Sequence, residues 1–424
     1  MPANEKKPSL IVIQLIGAND PLNTVVPYSN GLYYDYRPIV NIPAEDVLPI
    51  DDDFGFTPHM GPIKDLWDRG NVALVNGIGY TAPVRSHFRS MDIWHTAEPE
   101  KIATEGWLGR AIRDLDPQGD NVLTGINFGR GLPRSLGCKG VPVASVGNLE
   151  TYGLFPDLED EQEKGYALEA FARMYGMSKD NDPVMDSLRQ TGRDALKGAD
   201  VLRTAPAKYS STVEYAQNPF AQSMKNIAQV MFADLGTRIY YTSYGSFDTH
   251  GGELPTHAKL WQDVSGAVAD CYSDLEEHGW QDDTMILIWT EFGRRIRDNG
   301  SGTDHGAGGL AMLIGGSVKG GMYGEYPSLE EAHQLDGDLR ANNDFRSTYS
   351  TILERWLGLD APSIVNGQFE HLEFHLYRLQ VQSSMEQRGC SQFHQEHLQQ
   401  QLVNHYQDRA MQFAVAEQHP VQSE

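Results

Sequence analysis

Several carboxylate and imidazole side chains follow short apolar runs of the sequence. Asp20 comes after "SLIVIQLI", Asp248 after "RIYYTSYG", and Glu291 after "MILIWT". If these runs are parallel strands of one sheet, their carboxyl ends share one side of the molecule, and we expect the side chains to converge there. The candidate metal ligands are Asp20, Asp248, His250, His257, Glu291, Asp304 and His305. Such oxygen and nitrogen ligands suit Zn²⁺ or Mn²⁺, and with more carboxylates Mg²⁺ or Ca²⁺.

The candidate nucleophile is Ser86, in the segment "PVRSHFRSMDIW". We expect a helix to begin here, and the N–H groups and positive dipole end at a helix N-terminus favour an anionic ester group. Arg85 and Arg89 would hold that anion through paired donors. A neighbouring metal ion would lower the pKa of the serine hydroxyl. His87 is a candidate ligand or acid in the same segment.

A second anion pocket is suggested by Arg294 and Arg295 in "EFGRRIRDNGSGTDHGAGG". Asp304 and His305 are expected to lie in a glycine-rich loop of this segment, and its glycines allow the backbone to approach a bound group closely. It is not a phosphate-binding P-loop, because the lysine and the spacing of that motif are missing.

Each of these residues also has a purely structural interpretation. An aspartate after a strand is often a turn or N-cap residue, and a lone histidine is usually a satisfied hydrogen-bonding group. Ser86 or Ser90 would then be an ordinary helix cap, and the arginines would be solvated. Spacing alone leaves both interpretations open.

The elements that would position these residues alternate between strands and helices. Residues 9–16 form a short, β-branched apolar run that is typical of a strand buried on both faces. A helical pattern, "MGPIKDLWDRG", and a second apolar run, "NVALVNGIGY", follow it. The alternation continues through "TMILIWT", "GLAMLIGG" and the closing helix "DFRSTYSTILERWLGL". This order predicts an α/β domain with a mostly parallel sheet.

Composition narrows the class of protein. The 424 residues include 40% hydrophobic residues, enough for a substantial core, and the net charge of −24 would repel nucleic acid. The three cysteines are far apart and predict neither a disulfide framework nor a thiolate zinc site. No apolar run approaches the roughly 20 residues of a membrane helix. The N-terminus lacks the pattern of a signal peptide, so we expect the chain as written to be cytoplasmic, with no membrane partner.

Seven segments, in order, resemble the bacterial family known as domain of unknown function 1501. They are "GANDPLNTVVPY", "GYTAPVRSHFRSMDIWHTAE", "GWLGR", "SFDTHGGELPTHAKL", "TEFGRRIRDNGSGTDHGAGG", "VKGGMYGEYPSL" and "DGDLRANNDFRSTYSTILERWLG". That family in turn resembles the alkaline phosphatase and sulfatase superfamily. The resemblance implies a three-layer α/β/α sandwich around a mixed, mostly parallel sheet over residues 8–374. Residues 375–424 are then a Gln/His-rich appendage, part helical and part disordered.

The resemblance also implies roles for individual residues. The superfamily ordinarily binds two divalent metal ions and uses a serine, threonine or modified cysteine nucleophile, and Ser86 lies near the nucleophile position. Its metal ligands correspond to Asp20, Asp248, His250 or His257, and His305.

The sequence departs from the superfamily pattern at two places in the site. Glu291-Phe292 replaces an adjacent Asp-His ligand pair, and phenylalanine cannot bind metal. This departure implies that one metal site is weakened or absent, so that one or two ions are bound. Arg85 occupies the position of the sulfatase cysteine, which argues against formylglycine chemistry. Relatives usually carry a twin-arginine export signal, so a truncated chain would be periplasmic.

Two functions are consistent with these residues. The first is a metal-dependent hydrolase that acts on small phosphate or sulfate esters, with Ser86 as the nucleophile and Arg85, Arg89 and Arg294 as the groups that bind the anion. The alternative is a catalytically reduced relative that binds a metal ion or a ligand without turnover. The sequence leaves the substrate, the metal ion and the oligomeric state open.

Overall fold

The computed structural model describes residues 6–149, 152 and 201–375, with scattered positions between 162 and 199. The chain divides into two units, Met1–Leu376 and Tyr377–Glu424. Apart from its first residue, the predicted Gln/His-rich appendage lies outside the described residues, as does most of the segment between 150 and 200. The described helices are too short or too polar to cross a membrane.

Strands of a central nine-stranded sheet form most of the framework. They are β1 (Ser9–Leu15), β5 (Val72–Gly79), β6 (Gly125–Phe128), β7 (Ala144–Val146), β8 (Ile239–Tyr244), β9 (Thr284–Trp289), β12 (Gly309–Ile314), β13 (Gly321–Tyr323) and β14 (Asn343–Asp344). A small sheet contains β2 (Val25–Val26), β3 (Leu48–Pro49) and β4 (Gly55–Phe56), and a hairpin contains β10 (Arg294–Asp298) and β11 (Thr303–His305).

The central sheet is mixed and mostly parallel, as the sequence predicts. Its order is β13-β5-β12-β9-β1-β8-β6-β7, and β14 also pairs with β5. β1 lies between two parallel neighbours, with Leu10 opposite Ile239 of β8 and Met285 of β9. β12 runs antiparallel to both β5 and β9. Every residue of β1 is buried, which explains its continuous apolar sequence.

Helices flank the sheet on both sides. Among the described residues, the α-helices with defined bounds are α1 (Gly31–Tyr36), α2 (Gly61–Asp68), α3 (His87–Thr96), α4 (Trp107–Leu115), α5 (Ala205–Lys208), α6 (Pro219–Phe232), α7 (Glu253–Glu277), α8 (Phe345–Thr351) and α9 (Ala361–Val365). Short 3₁₀ segments lie at Ala44–Asp46, Pro58–Met60, Arg134–Leu136 and Glu331–His333, and α8 continues into a π-helix, Ile352–Trp356.

Two hydrophobic clusters lie on opposite faces of the sheet. Because side chains alternate along a strand, Ile11 and Ile13 of β1 belong to one cluster, with α2, α6 and α7. Leu10 and Val12 belong to the other cluster, with α3, α4, α8 and α9. The domain is therefore a three-layer α/β/α sandwich, which confirms the predicted fold class.

The hairpin of β10 and β11 differs from its predicted structure. The sequence predicts a glycine-rich loop around Asp304 and His305, whereas both residues belong to β11, where His305 pairs with Arg294 of β10. A Cβ at Gly306 would lie 2.5 Å from the backbone carbon of Arg294, so the close approach requires glycine at this position. The hairpin fixes the position of His305 beside the ends of the central strands.

Candidate metal centre

Three histidines and one aspartate converge beyond the carboxyl ends of the central strands. Asp248 and His250 lie in the loop after β8, His305 ends β11, and His87 is the first residue of α3. Ligand atoms of His87, Asp248 and His305 all lie within 4.8 Å of one another. We refer to these four residues as the His/Asp cluster.

The imidazole Nε2 atoms of the His/Asp cluster point towards each other. The Nε2 atom of His305 lies 2.9 Å from Nε2 of His87 and 2.9 Å from Nε2 of His250. Oδ1 of Asp248 lies 3.1 Å from Nε2 of His305 and 3.2 Å from Nε2 of His250. Oδ2 of the same aspartate lies 3.5 Å from Nε2 of His87.

Hydrogen-bond acceptors contact the other ring nitrogen of two of these histidines. Nδ1 of His305 lies 3.0 Å from the main-chain carbonyl oxygen of Arg85. Nδ1 of His87 lies 2.8 Å from Oε1 of Glu291, which also accepts a bond from the N–H of Gly17. Because a carbonyl or an ionised carboxylate can only accept, both Nδ1 atoms carry the ring proton.

His250 has the same arrangement. Its Nδ1 lies 3.0 Å from Oδ1 of Asp304, and Asn299 donates a second hydrogen bond to that oxygen. The Nδ1 atom of His250 is therefore the donor, as in the other two rings. A carboxylate or carbonyl partner behind each ring is the usual arrangement around histidines that bind a metal ion.

The tautomers make the cluster a candidate site for a cation. A neutral imidazole that is protonated at Nδ1 has only a lone pair at Nε2. Pairs of such nitrogens 2.9 Å apart, with a carboxylate oxygen beside them, repel each other unless a positive charge lies between them. One divalent ion would satisfy all four donors at once, since Zn²⁺ binds imidazole nitrogen and carboxylate oxygen at about 2.0–2.2 Å.

Neighbouring charges shift the pKa values of the cluster. The hydrogen bond from His87 to Glu291 raises the pKa of His87. Burial alone would raise the pKa of Asp248, but the hydrogen bond and positive charge of Arg294 outweigh burial and lower it. Hydrogen bonds from Asn299 and His250 lower the pKa of Asp304. The carboxylates of Asp248 and Asp304 are therefore held in the ionised form that a cation requires.

The structure brings together only part of the predicted ligand set. Asp248, His250 and His305 lie in the cluster, and His87 joins them. Glu291 is fully buried, and both it and Asp304 contact the cluster through the Nδ1 atoms of histidines.

Asp20 lies apart from the cluster, in a buried ion pair. Arg37 donates to both of its carboxylate oxygens, and neither side chain is exposed. Burial alone would raise the pKa of Asp20, but Arg37 more than offsets burial and lowers it to about 2. The sequence predicts a metal ion at the carboxylate of Asp20. In the structure, the guanidinium of Arg37 contacts this carboxylate instead.

His257 is also apart from the cluster. It is a buried residue of α7, with its Nε2 atom 3.1 Å from Oδ1 of Asn19 and 3.2 Å from the indole nitrogen of Trp261. Burial lowers the pKa of His257 to about 4, so the ring is neutral. His257 therefore fits the structural interpretation of a lone histidine, whose hydrogen bonds are satisfied within the protein.

The arginines predicted to bind an anion have protein partners. Arg85 pairs with Asp338, and Arg89 donates to Asp92 and to main-chain carbonyls. Arg295 donates to the carbonyl oxygen of Asp336. Arg294 is fully buried and donates to carbonyl groups and to Asp248.

Ser86 is the N-cap residue of α3, but its side chain makes no capping hydrogen bond. It is exposed and directly precedes His87. Ser90 is buried, with its hydroxyl 2.8 Å from that of Tyr80 and 2.6 Å from the carbonyl oxygen of Val84. The hydroxyl of Ser86 is therefore exposed, whereas that of Ser90 is buried and hydrogen-bonded within the protein.

Two residues that fix the roles of predicted site residues could not be identified from the sequence. Arg37 neutralises Asp20, and the buried Asp338 holds Arg85, whose carbonyl oxygen contacts His305. No local pattern around Arg37 or Asp338 distinguishes them from exposed charges. The partner of His305 is a main-chain carbonyl group. Every residue has such a group, so the residue type does not predict this contact.

The fold and the cluster define an α/β/α sandwich protein with a candidate metal centre at the carboxyl ends of its strands. Residues 80–364 match the model of a family described as "Protein of unknown function (DUF1501)". The match covers more than half of the chain, and the chain belongs to this family. No curated protein matches it.

Three solved structures illustrate what the fold is similar to. The PsFucS1 sulfatase from Pseudoalteromonas sp. is 13% identical, with a TM-score of 0.40, covering 87% of this chain and 71% of that one. A protein in the alkaline phosphatase superfamily from Vibrio parahaemolyticus is 13% identical, with a TM-score of 0.35 and coverages of 86% and 70%. The periplasmic domain of EcEptC from Escherichia coli, in complex with Zn, is 8% identical, with a TM-score of 0.34 and coverages of 74% and 74%.

Proposed function

We propose that the chain is a metal-dependent hydrolase of small phosphate or sulfate esters. A divalent ion would be held by His87, Asp248, His250 and His305. The observation that carries the proposal is the convergence of three Nε2 atoms and a carboxylate oxygen, while each Nδ1 atom is bound to an acceptor. Three nitrogen donors and one oxygen donor favour a transition-metal ion, Zn²⁺ above all, over Ca²⁺ and Mg²⁺, which prefer oxygen. The single cluster accounts for one ion.

The chain's own residues supply the other parts of the reaction. When bound, the ion would act as a Lewis acid towards the ester and the attacking hydroxyl. Ser86 is exposed beside His87 and would be the nucleophile. The first-turn N–H groups of α3 have no side-chain cap, and they would hold the anionic ester. These N–H groups take over the role that the sequence analysis gave to arginines.

A second candidate function is a metal-binding protein without turnover. It is favoured by the arginines of the predicted anion pocket, because Arg85, Arg89 and Arg294 are all engaged by protein acceptors. An ester hydrolase without a free guanidinium group would depend on the metal ion and on N–H groups to bind the anion. Both candidate functions require metal binding, but only the hydrolase would turn over an ester substrate.

Metal analysis and an ester panel test the proposal. The purified full chain would be assayed for Zn and Mn content and then for hydrolysis of phosphate and sulfate monoesters and diesters. Ser86→Ala should reduce kcat by at least about 10²-fold, as expected for loss of a nucleophile, with metal content unchanged. Ser363→Ala is the matched control, because Ser363 is an exposed serine in the first turn of α9.

The outcomes distinguish the two candidates. Metal-dependent hydrolysis that is lost in Ser86→Ala and kept in Ser363→Ala supports the hydrolase. A metal-loaded chain that is inert on the whole panel supports the metal-binding protein instead. A chain that binds neither metal excludes both.

A further inference from the structure

We infer that Arg294 is a positioning residue, which holds the carboxylate of Asp248 in the orientation that a metal ion needs. The inference rests on the proposed metal centre and assigns to Arg294 a role other than binding the ester. It is carried by the hydrogen bonds of the Arg294 guanidinium group.

Main-chain carbonyl groups fix the guanidinium of Arg294. Its Nε atom donates to Ala18 (2.8 Å), and Nη1 donates to Thr303 (3.0 Å). Nη2 donates to Gly17 (2.6 Å) and to Phe247 (3.0 Å). These acceptors lie after β1, after β8 and in β11, so one buried side chain connects the three segments that border the cluster.

The same guanidinium contacts the metal ligand. Nη2 of Arg294 lies 2.6 Å from Oδ1 of Asp248. That oxygen is also the one that faces Nε2 of His305 and Nε2 of His250, at 3.1 Å and 3.2 Å. The side chain of Asp248 is 44% exposed and would otherwise be free to change rotamer, whereas Arg294 is 0% exposed. Arg294 therefore fixes which oxygen atom of Asp248 faces His250 and His305.

An arginine is needed for this role because of its shape. The planar guanidinium group carries five N–H donors, which allows it to bond several carbonyl groups and a carboxylate simultaneously. A lysine would keep the positive charge but could not make this set of bonds. Arg294→Lys thus separates the positioning of Asp248 from the simple presence of a charge.

The test compares two buried arginines. Arg37 is also fully buried and paired with an aspartate, Asp20, but it does not contact the cluster. Arg294→Lys and Arg37→Lys would be prepared in the full chain, and Zn²⁺ affinity measured by competition with a chromogenic chelator. The visible absorption of the Co²⁺-loaded protein reports the geometry of the centre independently of activity. Circular dichroism establishes that each variant is folded.

We expect Arg294→Lys to weaken Zn²⁺ binding about 10- to 100-fold, the usual effect of removing a partner of a metal ligand, and to change the Co²⁺ spectrum. Arg37→Lys should change the affinity by less than about 3-fold, within ordinary variation for a site with no shared contact. If Arg294→Lys does not fold, Arg294→Gln, which keeps a donor for the carbonyl groups, takes its place.

Two results would overturn the inference while leaving the proposed function intact. One is an unchanged or higher Zn²⁺ affinity in the Arg294 variant, with the wild-type Co²⁺ spectrum. The other is an equal loss of affinity in the Arg37 variant, which would indicate a general structural effect. Failure of the wild-type chain to bind either ion would instead refute the proposed function, and the inference with it.

Discussion

The Nε2 atoms of His87 and His305 lie 2.9 Å apart, although each ring has its proton on Nδ1. The two nitrogens come from segments more than 200 residues apart in the sequence, and their partners hold them in place on both sides. Such a contact is favourable when a positive charge, a proton or a metal ion, lies between the two lone pairs. This relationship is the basis of the proposed metal centre.

Glu291 should affect metal binding without being a ligand. It accepts from Nδ1 of His87 and from the N–H of Gly17. Replacing it by glutamine removes the charge that favours the Nδ1–H form of His87, and we expect Glu291→Gln to weaken Zn²⁺ binding by about 10-fold or more. Chelator competition measures the affinity, and Glu330→Gln is the control, since Glu330 is an exposed glutamate away from the cluster. An affinity equal to that of wild type would argue against this role.

Asp20 should be essential for stability and dispensable for metal binding. Its replacement by asparagine would leave the fully buried Arg37 without a counter-charge, and we expect the free energy of unfolding to fall by about 3–5 kcal/mol. Urea denaturation measures the loss. Asp68→Asn is the control, because it removes an exposed ion pair with Lys64 that is worth at most about 1 kcal/mol. A folded Asp20→Asn chain that cannot bind Zn²⁺ would instead make Asp20 a ligand, as the superfamily resemblance implies.

Glu253 should make stability depend on pH. Burial and the neighbouring carboxylate of Asp20 raise the pKa of Glu253 from 4.5 to about 9. The folded chain binds this proton more tightly than the unfolded chain does, and the bound proton therefore contributes to the free energy of unfolding. This contribution is complete below pH 4.5 and is lost as the pH rises towards 9. Glu253→Gln mimics the protonated acid. Over this pH range its free energy of unfolding should therefore fall less steeply than that of wild type, and the two slopes should differ by up to about 1.4 kcal/mol per pH unit.

Urea denaturation at about pH 6 and at about pH 8.5 measures this slope, within the window set by the raised pKa. Glu330→Gln again serves as the exposed control and should keep the wild-type slope. If the free energy of unfolding changes with pH at the same rate in Glu253→Gln and in wild type, Glu253 is ionised in the folded chain.

The fold was accessible from the sequence because its signals are local. The apolar run that became β1 is buried on both faces, and the alternation of strands and helices fixes a mostly parallel sheet. The hairpin of β10 and β11 was harder to predict, since its strands are short and charged. Its pairing depends on close contacts at Gly306, which only the folded backbone reveals.

The site was only partly accessible. Placement after a strand predicted that Asp248 and His250 would lie at this edge of the sheet, and in the structure His305 contacts both of them. The same rule also grouped Asp20 and His257 with them, because placement after a strand does not predict whether a side chain is buried or has a partner such as Arg37. Whether a side chain at a strand end is a ligand depends on the charges packed against it, and these come from distant parts of the chain.

The metal content of the purified full chain tests the central claim most directly. After dialysis against a weak chelator, elemental analysis should find one Zn or Mn ion per wild-type chain. His305→Ala, which removes the ring that contacts both other imidazoles, should contain no stoichiometric metal, whereas His333→Ala, at an exposed site, should keep it. A wild-type chain that neither contains nor binds these ions, or a His305→Ala chain that binds them equally well, would contradict the account.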